Sequence, residues 1–207
     1  MVRAKHDITV VPHSIVGAIG DAVHNLRSAL DHFACALALR RNPDADLERV
    51  AFPIRKDREA FDSVAKKGKI NNLGSDAVSF IDRLKPYGGG DGVAAFWRVH
   101  RLDIVDKHRA LLTTGIYTLG VPSGMPPPAS YSDTNKWQAL EENPVIARWP
   151  AGDPENHAQY IFNVALNEPE IIPARVPVLG VLFEIKSLVE AVLYKAEREL
   201  SWTSRTA

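Results

Sequence analysis

Between residues 14 and 40 apolar side chains recur at helical spacing: Val16, Ile19, Val23, Leu26, Leu30, Phe33, Leu37 and Leu39. That period predicts one long amphipathic helix. Pro43 ends it, because proline has no N–H to donate and pushes Asn42 out of helical geometry. After a loop containing "FPI" at 52–54, Asp57 is placed to cap a helix running to Lys67, with Gly68 behind it. Ser75 is placed to cap another that stops before Pro86, and Asp91 or Gly92 to start a fourth. From Leu111 the texture changes to short β-type runs, "LLTTGIYTL", "PVIARW" and "QYIFNVAL", divided by loops such as "VPSGMPPPAS". The last periodic stretch, about 179–200, sets Leu182, Ile185, Val189, Val192, Leu193 and Ala196 on one helical face. A short β-branched run at 8–11, ended by Pro12, reads as a strand or an extended entry.

These elements predict an α+β fold: a helix-rich bundle with a small antiparallel sheet inserted before the C-terminal helix. Residues 1–207 are read as one domain, with a helical core at 14–110 and 178–200 and a β-rich insertion at about 111–170. Composition fits a globular chain, at 45% hydrophobic and 24% charged. Twenty-five basic and 25 acidic residues cancel, so no whole-protein field gathers a polyanion or an anionic membrane. Any nucleic acid would be held by a local patch. The single cysteine, Cys35, allows no internal disulfide, and with no apolar run of membrane-spanning length the expected location is cytoplasmic.

Two polar runs remain. "HNLRSALDH" occupies residues 24–32 and "HRLDIVDKHR" residues 100–109. On a helical wheel at about 100° per residue the first places His24, Ser28, Asp31 and Cys35 opposite Leu26, Leu30, Phe33 and Leu37, with Arg27 and His32 at the flanks. In the second, Phe96, Trp97, Val99, Leu102, Ile104 and Val105 point nearly all round. Such a helix is normally buried, yet this one carries His100, Arg101, Asp103, Asp106, Lys107 and His108. Buried charges need partners, and the first run supplies them: antiparallel packing would bring Arg27 to Asp103 or Asp106, and Asp31 to Lys107 or His100. A purely structural ion network fits this pattern as well as a functional site does.

Three chemistries suit such a cluster. His100 and Asp103, at i and i+3, share a helix face and suit a His/Asp metalloenzyme, but two histidines eight residues apart rise about 12 Å and do not share one ion. Cys35 as a nucleophile competes with its ordinary role as buried filler. Metal-free acid/base catalysis needs a histidine to move a proton and an arginine to stabilise developing charge. The glycines of "YGGGDG" at 87–92 lack the Gly-Lys-Ser/Thr that a phosphate loop requires and read as a connection.

Arg27 with His32, and Arg101 with His108, resemble the Arg-x(4 to 6)-His motif of the HEPN superfamily of helical-bundle proteins. That resemblance implies a metal-independent RNA- or nucleotide-acting enzyme, often a homodimer. In it Arg27 or Arg101 contacts phosphate, His32 or His108 is the acid/base, and Asp31 or Asp106 orients it, with no cofactor and no metal. "GDAVHNLRSALDHFACALA", "FPI", "LKPY" and "LDIVDKHRALL" together resemble a family of uncharacterised bacterial proteins over residues 20–112. This implies that His24, Asn25, Arg27, Asp31, His32, Asp106, Lys107, His108 and Arg109 are signature positions. Ile104 and Val105 stand where a more polar pair is usual, and relatives are expected to carry more sequence before Met1. The alternative to an enzyme is a small-molecule-binding or regulatory protein, in which His24, Asn25, Ser28, Trp97, His100, Asp103, Lys107 and Arg109 form a network beside a closed pocket.

Overall fold

The computed structural model describes residues 2–3, 11–66, 71–109, 111, 113–120, 130–131, 138–139, 145–148, 159–173 and 176–200. Among these are five α-helices: α1 His13–Arg41, α2 Arg58–Lys66, α3 Ser75–Leu84, α4 Ala94–His108 and α5 Val178–Glu199. The helix-rich character and the helix positions follow the apolar periodicity. No described helix is long and apolar enough to cross a membrane.

The chain divides into two compact units. One comprises residues 1–19 and 110–181, and the other residues 20–109 and 182–207. In the first lie the strands β1 Val2–Arg3, β2 Thr113–Gly120, β3 Ser130–Tyr131, β4 Gln138–Ala139, β5 Val145–Arg148 and β6 Gln159–Leu166. β2 runs antiparallel to β6, from Thr113 opposite Leu166 to Gly120 opposite Gln159, and β4 pairs on its other edge. The run expected at 8–11 falls mostly on residues outside the described ones.

The second unit holds both polar runs. α1 buries Val23, Leu30, Phe33, Ala34, Leu37 and Ala38, while Leu39, expected on the same face, is exposed. α5 buries Ile185, Val189, Val192 and Ala196, while Leu193, also expected inside, is partly exposed. A chain of rings joins the elements: Phe52 stacks on Phe96 at 5.6 Å between centroids, and Phe33 lies 6.3 Å from Phe52 and 6.1 Å from Phe80. Edge-to-face and offset ring pairs of this kind add to the burial of large apolar area. Ion pairs Arg98–Glu184 and Arg83–Glu199, each 2.6 Å, link α4 and α3 to α5.

Two helix starts differ from expectation. Asp57 does cap α2, accepting from the Ala60 N–H at 2.8 Å. Ser75, however, is the first residue of α3 and no side chain caps that helix; the cap position is Gly74, at φ +88°, where a side chain would be strained. α4 begins at Ala94, after Val93, rather than at Asp91 or Gly92. Asp91 is held back by the loop, where it pairs with Lys85 and accepts from the Tyr87 hydroxyl at 2.9 Å.

Candidate functional site

The two polar runs meet. Asp106 crowds Gly20, His24 bonds to Asp103, and Phe52 inserts its ring against Phe96 beside the Arg27 turn of α1. Positions rise along α1 as their partners fall along α4, so the helices are antiparallel across this seam. A β-carbon on residue 20 would overlap the Asp106 carboxylate, which makes glycine the residue that permits this close approach.

Asp103 is the centre of the seam. Its side chain is 5% exposed, and it is the one charged residue of α4 that is fully buried. His24 Nδ1–H donates to Oδ1 at 2.9 Å and the Lys107 ammonium donates to Oδ2 at 2.7 Å. Burial pushes this carboxyl up, but the two charge-assisted bonds outweigh it and hold the pKa below the usual carboxylate value, so Asp103 is ionised. Both of its oxygens are engaged. The His24 ring is otherwise open, its side chain 51% exposed, and its Nε2 faces the Ser28 hydroxyl one turn along α1 at 3.5 Å.

Arg27 takes a different part from the one expected. It reaches neither Asp103 nor Asp106: Nη2 donates to the Phe52 carbonyl at 3.0 Å, and Nη1 lies 2.8 Å from Asp31 Oδ1 as an ion pair whose angle does not make a hydrogen bond. The same Asp31 oxygen accepts from the Phe52 N–H at 2.8 Å. Asp31 therefore does not reach Lys107 or His100. The intervening 52–54 loop claims both residues, and their work is to clamp that loop onto α1.

The expected catalytic pairs do not converge. His32 is exposed while Arg27 is buried, because five residues on a helix turn about 140° away from one another. Arg101 lies with its guanidinium 5.8 Å from the Trp97 ring, and His108 and Arg109 are exposed at the end of α4. Asn25 is likewise exposed. Asp106 is half-buried, and desolvation with the nearby carboxylates of Asp103 and Asp21 raises its pKa.

His100 sits in a strongly perturbed setting. Its ring lies 5.6 Å from that of Trp97, and burial, then the positive charges of Arg27 and Arg55, push its pKa down to about 4. It is neutral at physiological pH. Arg55, which sequence reasoning missed, is itself pulled down by burial and by Arg27. Its position directly after the "FPI" loop was the signal available. Cys35 is held as a thiol, its pKa raised by burial and by Asp31, and its Sγ–H points to the Val50 carbonyl at 3.9 Å; it lacks the electropositive setting a nucleophilic thiolate needs.

Among the described residues no group of three or more His, Cys, Asp or Glu is placed to hold a metal ion. A cavity of about 560 Å³ in this unit is lined by Leu37, Arg40, Arg41, Gly74, Ser75 and others, and none of the residues of the seam borders it. The arrangement that can act chemically is therefore His24: an accessible imidazole whose tautomer is fixed from behind by a buried, ionised carboxylate. No family model, no curated protein and no solved structure matches this chain.

Proposed function

We propose that this protein is a metal-independent acid/base enzyme in which His24, held by Asp103, moves the proton. The observation that carries the reading is the 2.9 Å bond from a half-exposed imidazole to a carboxylate that is 5% exposed. An aspartate accepting from Nδ1–H leaves the Nε2 lone pair outward, as a general base requires, and it stabilises the imidazolium once the proton has arrived. Lys107 neutralises the second carboxylate oxygen and keeps the buried charge from standing alone.

The chemistry is that expected for the Arg/His motif, with a different histidine in the working position. His24 replaces His32 and His108, because among the described residues it is the one of the three whose ring is bonded to a carboxylate on the facing helix. Bonds open to such a base without a metal are the esters of carboxylic and phosphoric acids, RNA phosphodiesters included. The described strands of the first unit form two three-stranded sheets, in the orders β1-β5-β3 and β4-β2-β6, and the proposed chemistry rests on the helices of the second unit alone.

The test is hydrolysis of a mixed RNA pool and of a panel of carboxylic esters by the full chain in excess EDTA. His24→Ala, Asp103→Asn and His32→Ala are run beside it after circular dichroism shows them folded. Turnover that survives EDTA and His32→Ala but falls at least about 100-fold in His24→Ala is the expected result. Turnover indifferent to His24→Ala, or none on either substrate class, refutes the proposal.

A further inference from the structure

The Ser28 hydroxyl has a relation to His24 that the acid/base reading does not use. Oγ lies 3.5 Å from Nε2, on the side of the ring opposite the Asp103 bond. Carboxylate to Nδ1, then Nε2 to hydroxyl, is the order of contacts in which a serine becomes a nucleophile. Serine and histidine one turn apart on a helix often touch with no consequence. Here the histidine is also fixed from the other helix, by a carboxylate that its own burial and Lys107 keep in place. With Asp103 ionised and accepting from Nδ1–H, Nε2 carries the lone pair, so the Ser28 O–H is the donor across the 3.5 Å gap. That gap is longer than a working hydrogen bond, and nucleophile–base contacts commonly tighten when substrate binds.

We propose that Ser28 is the covalent nucleophile of a Ser28–His24–Asp103 relay and that the substrate class is an ester of a carboxylic acid. This rests on His24 being the acid/base group. In the first half-reaction the Ser28 hydroxyl proton passes to His24 Nε2 as Oγ bonds to the carbonyl carbon. The carbon–oxygen bond to the leaving alcohol then breaks, and that oxygen takes the proton from Nε2. In the second, water gives a proton to Nε2 as it attacks the acyl-serine, the carbon–Oγ bond breaks, and Oγ recovers the proton. Water is the only co-reactant, and the products are one acid and one alcohol.

A fluorophosphonate probe tests this directly, because it phosphonylates serines activated by a base and displaces fluoride. The full chain is incubated with the probe and digested, and the adduct is located by mass spectrometry. Expected is one adduct, on the peptide holding Ser28, lost in Ser28→Ala and formed at least about 100-fold more slowly in His24→Ala. Ester hydrolysis should fall in parallel in Ser28→Ala, while circular dichroism is unchanged. If hydrolysis depends on His24 but Ser28 takes no adduct and Ser28→Ala turns over normally, Ser28 is not the nucleophile and His24 acts on another group. An adduct at Ser28 that forms equally fast without His24 overturns the relay. If neither adduct nor His24-dependent turnover is seen, the acid/base reading falls with it.

Discussion

Lowering the pH through the range from 6.5 to 4 should weaken the fold through His100. In the folded protein its pKa is about 4, against 6.5 for the free side chain, because protonation would add a charge to a half-buried ring already facing Arg27 and Arg55. The unfolded chain therefore takes up a proton at higher pH than the folded one. A group with a depressed folded pKa that is charged when protonated stabilises the fold in full above 6.5, and that contribution is lost as the pH falls toward 4. Each pKa unit corresponds to about 1.4 kcal/mol, so the ceiling over this window is about 3 kcal/mol. Solvent reaches part of the ring and screens the arginines, which brings the expected loss to roughly 1–2 kcal/mol. Asp103, with its pKa held down, loses its contribution only lower, through and beneath the ordinary carboxylate range, while the raised pKa of Asp106 opposes the loss at the acid end. The assay is urea unfolding followed by tryptophan fluorescence at half-unit steps from pH 7.5 to 4.5, on the parent chain and on His100→Asn. The variant loses packing against Trp97 at every pH, so its slope carries the information and its absolute stability does not. The parent should lose stability more steeply than the variant between 6.5 and 4.5. Parallel curves would refute a neutral, cation-flanked His100.

Asp31→Ala should cost about 3–5 kcal/mol in chemical unfolding, because it leaves Arg27 a buried charge without its carboxylate and strips the Phe52 N–H of its acceptor. His32→Ala, one residue away but exposed, should stay within about 0.5 kcal/mol of the parent; equal losses would show that Asp31 clamps nothing. Gly92→Ala places a β-carbon on the Tyr87 carbonyl, so thermal melting should show a loss of about 1–3 kcal/mol or more, and an unchanged melting temperature would remove the tight 87–92 loop. Asp103→Asn keeps the shape of the side chain but gives up two charge-assisted bonds; unfolding should report a loss of about 1–3 kcal/mol, with a fall in any His24-dependent turnover at every pH where the enzyme is folded.

The helices were legible because each buries a stripe at its own period, and Asp57 was legible as a cap because its side chain bonds locally, within three residues. What the wheel does not encode is the neighbour. It placed Arg27 at the flank of the polar stripe, and the natural partner for a cation there is an acid on the other polar helix. The structure puts the Phe52 backbone in that place instead, because a stacked Phe52–Phe96 pair brings the loop into the seam, where its carbonyl and N–H need partners that Arg27 and Asp31 supply. The choice is made by aromatic packing more than 20 residues away, and no local pattern around Arg27 carries it. A trace of the true seam was nevertheless present. Gly20 stands inside a helix, where glycine costs about 1 kcal/mol relative to alanine, and it lies one turn before His24. Here Asp106 of α4 comes close, and that approach with antiparallel packing sets His24 opposite Asp103, yet Gly17 of the same helix has nothing near it, so a helical glycine alone does not name a neighbour. The glycine hinted at a close approach without naming Asp106, so the pairing of the first histidine with the buried aspartate, like the displacement of Arg27 and Asp31, was set by packing that the wheel does not carry.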